Sequence, residues 1–457
     1  MSRCVFVLAL AYLTMVSAVA SRTDTGDTEP EPAIASADLV QPGLLSGPGF
    51  TVQSTTPVVG FMARFTLETD DGPIIADSVE MLDIRATEMA AIEILDQVGQ
   101  GEAFGMAVRE NLQSTAETVG QIATHPVSTV KGIPQGVMRY FRGQVTKWGD
   151  RLSRHGDRVA YRSRNDGDPY DMVGPMNANR DAQPQRPRKR WYTSAGKEVM
   201  RQVEDYVSHG SAKRMIARNL GIDPYTATTN PALNERLDRL AWGAAAGSMT
   251  IGEVLGYLPR GGRETLSQTS RLNDVVWELA PEDLRKRNRA ILEKWCGDDF
   301  QNRRFVRHRA FLASVQTRLV DALDGLQPAA GCEETLDLAL GADHDVEGRF
   351  LANALVLAHD FLGESARGSE LRALNAGLVL ETRDGRRVLP LPVDHLSWTA
   401  LAKDFFDQRE LADGDRIVLI AGGISDQALR ELTALGWEIV VRAPYSAAPP
   451  YAARCCA

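Results

Sequence analysis

After its first twenty residues the sequence has no run long and apolar enough to span a membrane, a task that takes about 20 consecutive apolar residues. Cysteine is scarce, five in 457 residues, and no CxxC occurs. A zinc ribbon or thioredoxin-type site therefore has no support. The zinc motifs HExxH and HxxEH are missing, as is the GxGxxG phosphate loop. Cations are outnumbered, 51 Lys and Arg against 60 Asp and Glu, for a formal net charge of −9. That balance excludes general nucleic-acid binding.

The first twenty residues read as an export address. Arg3 supplies one positive charge, Val5 to Val16 form a short apolar core, and Ala18 and Ala20 are small residues before Ser21. This is the three-part pattern of a secretory leader, cleaved after Ala20. The other reading is an uncleaved anchor, which the short apolar run disfavours. The expected location is periplasmic or secreted, and the mature chain soluble or peripheral. Cleavage removes Cys4 and leaves Cys296, Cys332, Cys455 and Cys456. An oxidising compartment permits disulfides, and four cysteines allow three pairings. Cys296 with Cys332 is the first candidate pair, because both lie in one helical region.

Composition and periodicity divide the rest. Residues 21–57 are rich in Thr, Ser, Asp, Glu, Pro and Gly, which predicts a flexible leader. From Phe61 to Leu67 apolar residues alternate with others, a strand, and Asp71-Gly72 marks a hairpin turn before Ile74-Ile75. Helical spacing runs from Ser78 to Gly99, then through Phe104 to Ile122. The unit 58–155 thus holds a hairpin and amphipathic helices, and 156–195 reads as a basic linker. Residues 196–365 look all-helical. Lys213–Leu220 closes on Gly221, Asn230-Pro231 starts a helix, and 300–326 carries one apolar stripe. In 366–445, Asp384-Gly385 marks a second hairpin and 417–441 reads as β-α-β; 446–457 is a tail. Leu67-Glu68-Thr69-Asp70-Asp71-Gly72 echoes Leu380-Glu381-Thr382-Arg383-Asp384-Gly385, which suggests that both hairpins share one sheet. The expected fold class is α+β and predominantly α-helical: an N-terminal β-hairpin plus helices, a central helical domain and a small C-terminal α/β unit.

Three segments carry a resemblance. Leu220-Gly221-Ile222-Asp223-Pro224-Tyr225 with Asn230-Pro231-Ala232-Leu233 is one, and His125-Pro126 through Thr129, Lys131-Gly132, Pro134 and Gly136-Val137 is another. Gly423-Ile424-Ser425 with Leu435-Gly436-Trp437 is the third. Across roughly 78–445 the chain resembles a family of exported bacterial proteins of uncharacterised function. The resemblance implies export and supplies no catalytic residue.

Several constellations carry possible chemistry. Residues 137–154 form a basic amphipathic helix: Arg139, Arg142, Lys147 and Arg151 flank Tyr140, Phe141 and Trp148. Such a helix lays its apolar face into a headgroup boundary while its cations meet anionic lipid; the plainer alternative is a helix packed on a core with a solvated basic face. Between Arg139 and Arg190 there are 13 Lys and Arg against 6 Asp and Glu, a basic island in an acidic chain. His344-Asp345, His359-Asp360 and His395 with Asp394 are metal-ligand types without metal-ligand spacing. Ser425 follows Gly422-Gly423, but Gln427 breaks G-x-S-x-G, so a helix N-cap is the better reading. Ser128 and Lys131 match S-x-x-K, yet the surrounding prolines and glycines deny them a helix.

Two functions follow as expectations. The first is a non-catalytic exported protein that binds an anionic membrane surface or an envelope protein through its basic segment, with no nucleic acid and no cofactor. The alternative is an exported metal-dependent hydrolase built on the His/Asp pairs, with a divalent metal.

Overall fold

The computed structural model describes residues 27–99, 209–245, 272–374, 377–412 and 414–453. The expected leader 1–20, the basic helix with Arg139, Tyr140, Phe141, Arg142, Lys147, Trp148 and Arg151, the linker 156–195, Ser128 and Lys131, and Cys455 and Cys456 lie outside these residues.

The fold is mixed α+β, with twelve helices among the described residues and several sheets. Seven short strands come first: β1 (Ala33–Ala35), β2 (Ser46–Gly47), β3 (Phe50–Val52), β4 (Thr55–Val59), β5 (Met62–Ala63), β6 (Phe65–Thr69) and β7 (Ile74–Ala76). They form a three-stranded sheet, β1-β4-β5, and a four-stranded one, β2-β3-β6-β7. The β6–β7 hairpin pairs Leu67 with Ile74, and Gly72 at its turn has φ +105°, a conformation glycine adopts without a Cβ clash. Two of the twelve helices are single turns, α1 (Ser36–Leu39) and α5 (Val275–Glu278). On the first sheets pack α2 (Val79–Gly99), α3 (residues 209–220) and α4 (Pro231–Ala245). Phe65, Leu67 and Leu82 bury there with Ile216, Leu233 and Leu237, forming the first core. Each such side chain is worth about 1.5–3 kcal/mol when fully buried.

The second core joins helices to a sheet. Its helices are α6 (Pro281–Trp295), α7 (Asp299–Phe305), α8 (Ala313–Leu326), α9 (Cys332–Leu340) and α10 (Asp345–Leu362). Its strands β8 (Glu370–Leu374), β9 (Gly377–Glu381), β10 (Arg387–Leu391), β12 (Arg416–Ile420) and β14 (Glu438–Val441) form a sheet in the order β14-β12-β10-β9-β8. The connections α11 (Ala400–Phe406) and α12 (Asp426–Ala434) make β10, β12 and β14 parallel, as the β-α-β pattern predicts. Beside it β11 (His395–Leu396) pairs with β13 (Gly423–Ile424). Leu319, Leu323 and Leu355 of the helices bury with Leu380, Leu389 and Leu419 of the strands. Cys296 and Cys332 are disulfide-bonded, with Cα atoms 5.1 Å apart, the pairing expected.

Four expectations need correction. Residues 33–57, read as part of a flexible leader 21–57, supply β1, β2, β3 and the start of β4. Their polar composition hides a period of two: Thr56 and Val58 are buried while Thr55 and Pro57 are exposed. The helical and α/β units, divided at 365/366, share one core, because α8 and α10 bury their apolar stripes against the sheet. The two hairpins lie in different sheets. The stripe over 300–326 is carried by two helices, α7 and α8, broken by turns at Val306–Leu312.

Candidate functional site

The resemblance-bearing segment Leu220–Leu233 folds through local chemistry. Gly221 ends α3 with φ +70°, and the Ile222 N–H returns to the Ala217 carbonyl at 3.0 Å. Asp223 accepts the Tyr225 N–H at 2.8 Å and the Thr226 hydroxyl at 2.7 Å, closing the Asp-Pro-Tyr turn. Asn230 caps α4 by accepting the Leu233 N–H at 3.3 Å, and its Nδ2 donates to Glu88 of α2 at 3.0 Å.

That turn leads into a buried polar layer between the two cores. Glu80 Oε1, at the start of α2, accepts Arg318 Nη1 of α8 at 2.8 Å and Arg349 Nη1 of α10 at 3.2 Å. Its Oε2 accepts Asn353 Nδ2 at 2.7 Å. Arg349 also donates to Thr226 Oγ1 at 2.8 Å and Asp345 at 2.7 Å, while the Ser314 hydroxyl reaches Asp223 at 2.5 Å. Burial alone would raise the Glu80 pKa, but the two guanidiniums outweigh it and hold it at about 2. Arg349 is pushed upward for the complementary reason: burial lowers it, and Asp345 and Glu80 more than compensate. Both charges are thus ionised, paired and hydrogen-bonded, the condition under which buried charge is tolerated.

Asp394 is a second buried junction. Its Oδ2 accepts the Ala63 N–H at 2.9 Å and the Val79 N–H at 3.1 Å, and its Oδ1 accepts the Tyr451 hydroxyl at 2.9 Å. Burial raises its pKa to about 6, against the pull of those donors and with a contribution from nearby Glu80. The next residue, His395, donates its backbone N–H to the Phe61 carbonyl at 3.1 Å, and burial lowers its imidazole pKa. Near the same edge, Glu29 accepts the Trp398 N–H at 2.6 Å and the Ser425 hydroxyl. Ser425 also caps α12 by accepting the Ala428 N–H at 3.0 Å, as the sequence predicts.

The histidine–aspartate pairs do not converge. His344 is the N-cap of α10 and His359 lies in its last turn. Fifteen residues of helix separate them by about 22 Å. Asp345 pairs with Arg349, and Asp360 is occupied by His359 Nδ1 at 2.9 Å and by Ser446. His395 sits on β11 against Gly423. Among the described residues no group of three or more His, Cys, Asp or Glu side chains could hold a metal ion. The metal set His344, Asp345, His359, Asp360 and His395 is therefore not a shared site, because a rigid helix holds two of its members apart.

The ends of the undescribed stretch 100–208 meet on one body. The chain leaves the first core at the end of α2 and re-enters it at α3, and both helices contribute to that core. Arg236 of α4 holds Asp96, in the last turn of α2, by two hydrogen bonds of 2.7 and 2.9 Å. Residues 100–208, which include the basic segment, thus join two helices of one core. No helix among the described residues is long and apolar enough to cross a membrane. No local sequence pattern encodes the polar layer, since Glu80 and Arg349 are 269 positions apart. No family model, no curated protein and no solved structure matches this chain.

Proposed function

We propose that this chain is an exported, non-catalytic binding protein that attaches to an anionic envelope surface through the basic segment within its 100–208 insertion. The observation that carries this reading is the clamped base of that insertion: α2 and α3 pack in one core, with Asp96 and Arg236 paired beside the exit point. Between Arg139 and Arg190 that stretch carries 13 Lys and Arg against 6 Asp and Glu, in a chain of net charge −9. Such an island is drawn to anionic lipid at about 1 kcal/mol per cation near the surface, while the acidic remainder is repelled. Tyr140, Phe141 and Trp148 supply the apolar contacts that electrostatics alone would lack. The leader pattern and the Cys296–Cys332 disulfide both support an oxidising, extracytoplasmic location.

Flotation of the purified mature chain with vesicles tests this. Co-flotation with phosphatidylglycerol-containing vesicles at low salt, its loss at about 0.5 M salt where screening is strong, and none with neutral vesicles are expected. Binding that ignores both lipid charge and salt contradicts the proposal.

A further inference from the structure

A cleft of about 230 Å³ lies beside the polar layer, between α8 and α10. The two helices run in the same direction: Arg318 meets Asn353 at 2.7 Å, and seven residues on Gly325 lies against His359. Arg318 and Asp321 line the cleft from α8, His359 and Asp360 from α10, and Asn273 and Ser446 from flanking loops. We propose that this cleft binds a small zwitterion of amino-acid size, its anionic group on Arg318 and its cationic group at Asp321 and Asp360.

The charges of the lining select that class. Arg318 is only 9% exposed and uses Nη1 for both Glu80 and Asn353. Its guanidinium lines the cleft, so a carboxylate entering there faces a fixed cation. Anion binding alone does not fit, because two carboxylates share the space. Asp321 accepts Arg287 at 2.7 Å and Asn273 at 2.8 Å, and Asp360 accepts His359 and Ser446. Each carboxylate still has lone-pair capacity, since four sites are available and two or three are used. Their side chains are 28% and 24% exposed, so an ammonium can reach them. A lone cation would in turn face Arg318. Only a ligand with both signs answers the whole lining. Ala322 and Val356 add an apolar wall for a short aliphatic side chain. The volume falls below the roughly 300–1,000 Å³ of drug-sized pockets, which limits the ligand to a few heavy atoms.

Isothermal titration calorimetry of the full mature chain tests the assignment, with L-alanine, L-valine and L-leucine as probes and acetate and ethylamine as single-charge controls. At least one amino acid binds with a dissociation constant below about 1 mM, and neither control binds as tightly. Asp321→Asn, which keeps the shape and removes the charge, weakens binding about tenfold or more. Val356→Phe fills the cleft and abolishes binding; Asp321→Asn decides alone if that variant does not fold. Absence of binding by all three amino acids, equal binding of acetate or ethylamine, or unchanged affinity in Asp321→Asn overturns the proposal.

Discussion

Glu80 and Arg349 meet at 3.2 Å with side chains 5% and 3% exposed, joining the helix that opens the first core to one that spans the second. Arg318 approaches the same carboxylate oxygen at 2.8 Å, so one acid answers two guanidiniums. Removing it leaves two buried cations without their shared counter-charge. Glu80→Gln is expected to lower unfolding stability by about 3–5 kcal/mol at pH 7, measured by urea denaturation. The pH dependence follows from the depressed pKa. Glu80 titrates near 2 in the folded chain and near 4.3 when unfolded. Its contribution is therefore present above about pH 4.3 and lost as pH falls toward 2. Glu80→Gln should flatten that acid limb; a variant with wild-type stability contradicts the pairing.

Asp394 behaves with the opposite sign. Its folded pKa, raised to about 6, exceeds the unfolded value near 3.9, so the ionised form is disfavoured by folding. Lowering the pH from about 7 to about 4 should strengthen the fold through this group, by up to roughly 3 kcal/mol. An amide at this position can accept the Ala63 and Val79 N–H groups on its oxygen and donate to the Tyr451 oxygen. Asp394→Asn is thus expected to match the wild type near pH 4.5 and exceed it at pH 7.5 by about 2 kcal/mol. Asp394→Ala, which orphans the donors, should be less stable at both pH values. An Asn variant weaker than wild type at pH 7.5 would show that the ionised carboxylate is required.

The Cys296–Cys332 bond closes a loop of 36 residues that contains α7, α8 and their turns. By the chain-entropy estimate, such a loop contributes about 3–4 kcal/mol. The Cys296→Ser, Cys332→Ser double variant should lose that amount in chemical denaturation. Reductant should weaken the wild type and leave the variant unchanged. A wild type insensitive to reductant would mean that the bond does not form.

Local features of this fold are legible in the sequence, and distant ones are not. Gly72 and Gly385 announce their turns because only glycine sits easily at φ +105° and +84°. Gly221, Asn230 and Ser425 announce helix ends because each satisfies backbone groups within a few residues of itself. The Cys296–Cys332 pairing was also within reach. By contrast, Asp394 reaches Val79 across 315 positions, and no periodicity encodes that meeting. The early strands were hidden for another reason: Thr and Pro at exposed positions such as Thr55 and Pro57 look like linker composition, although the register buries Thr56 and Val58. Histidine–aspartate adjacency misled because adjacency in sequence says nothing of convergence. One stretch of helix keeps His344 and His359 at opposite ends.

The surface-binding account depends most on the cations of the 137–154 segment. Its most direct test compares the wild type with a variant in which Arg139, Arg142, Lys147 and Arg151 are all replaced by Gln, by flotation on phosphatidylglycerol vesicles at low salt. The account predicts a loss of affinity of roughly 10³-fold for four cations at about 1 kcal/mol each, with the melting temperature of the two cores unchanged. Equal flotation of the two proteins would contradict it.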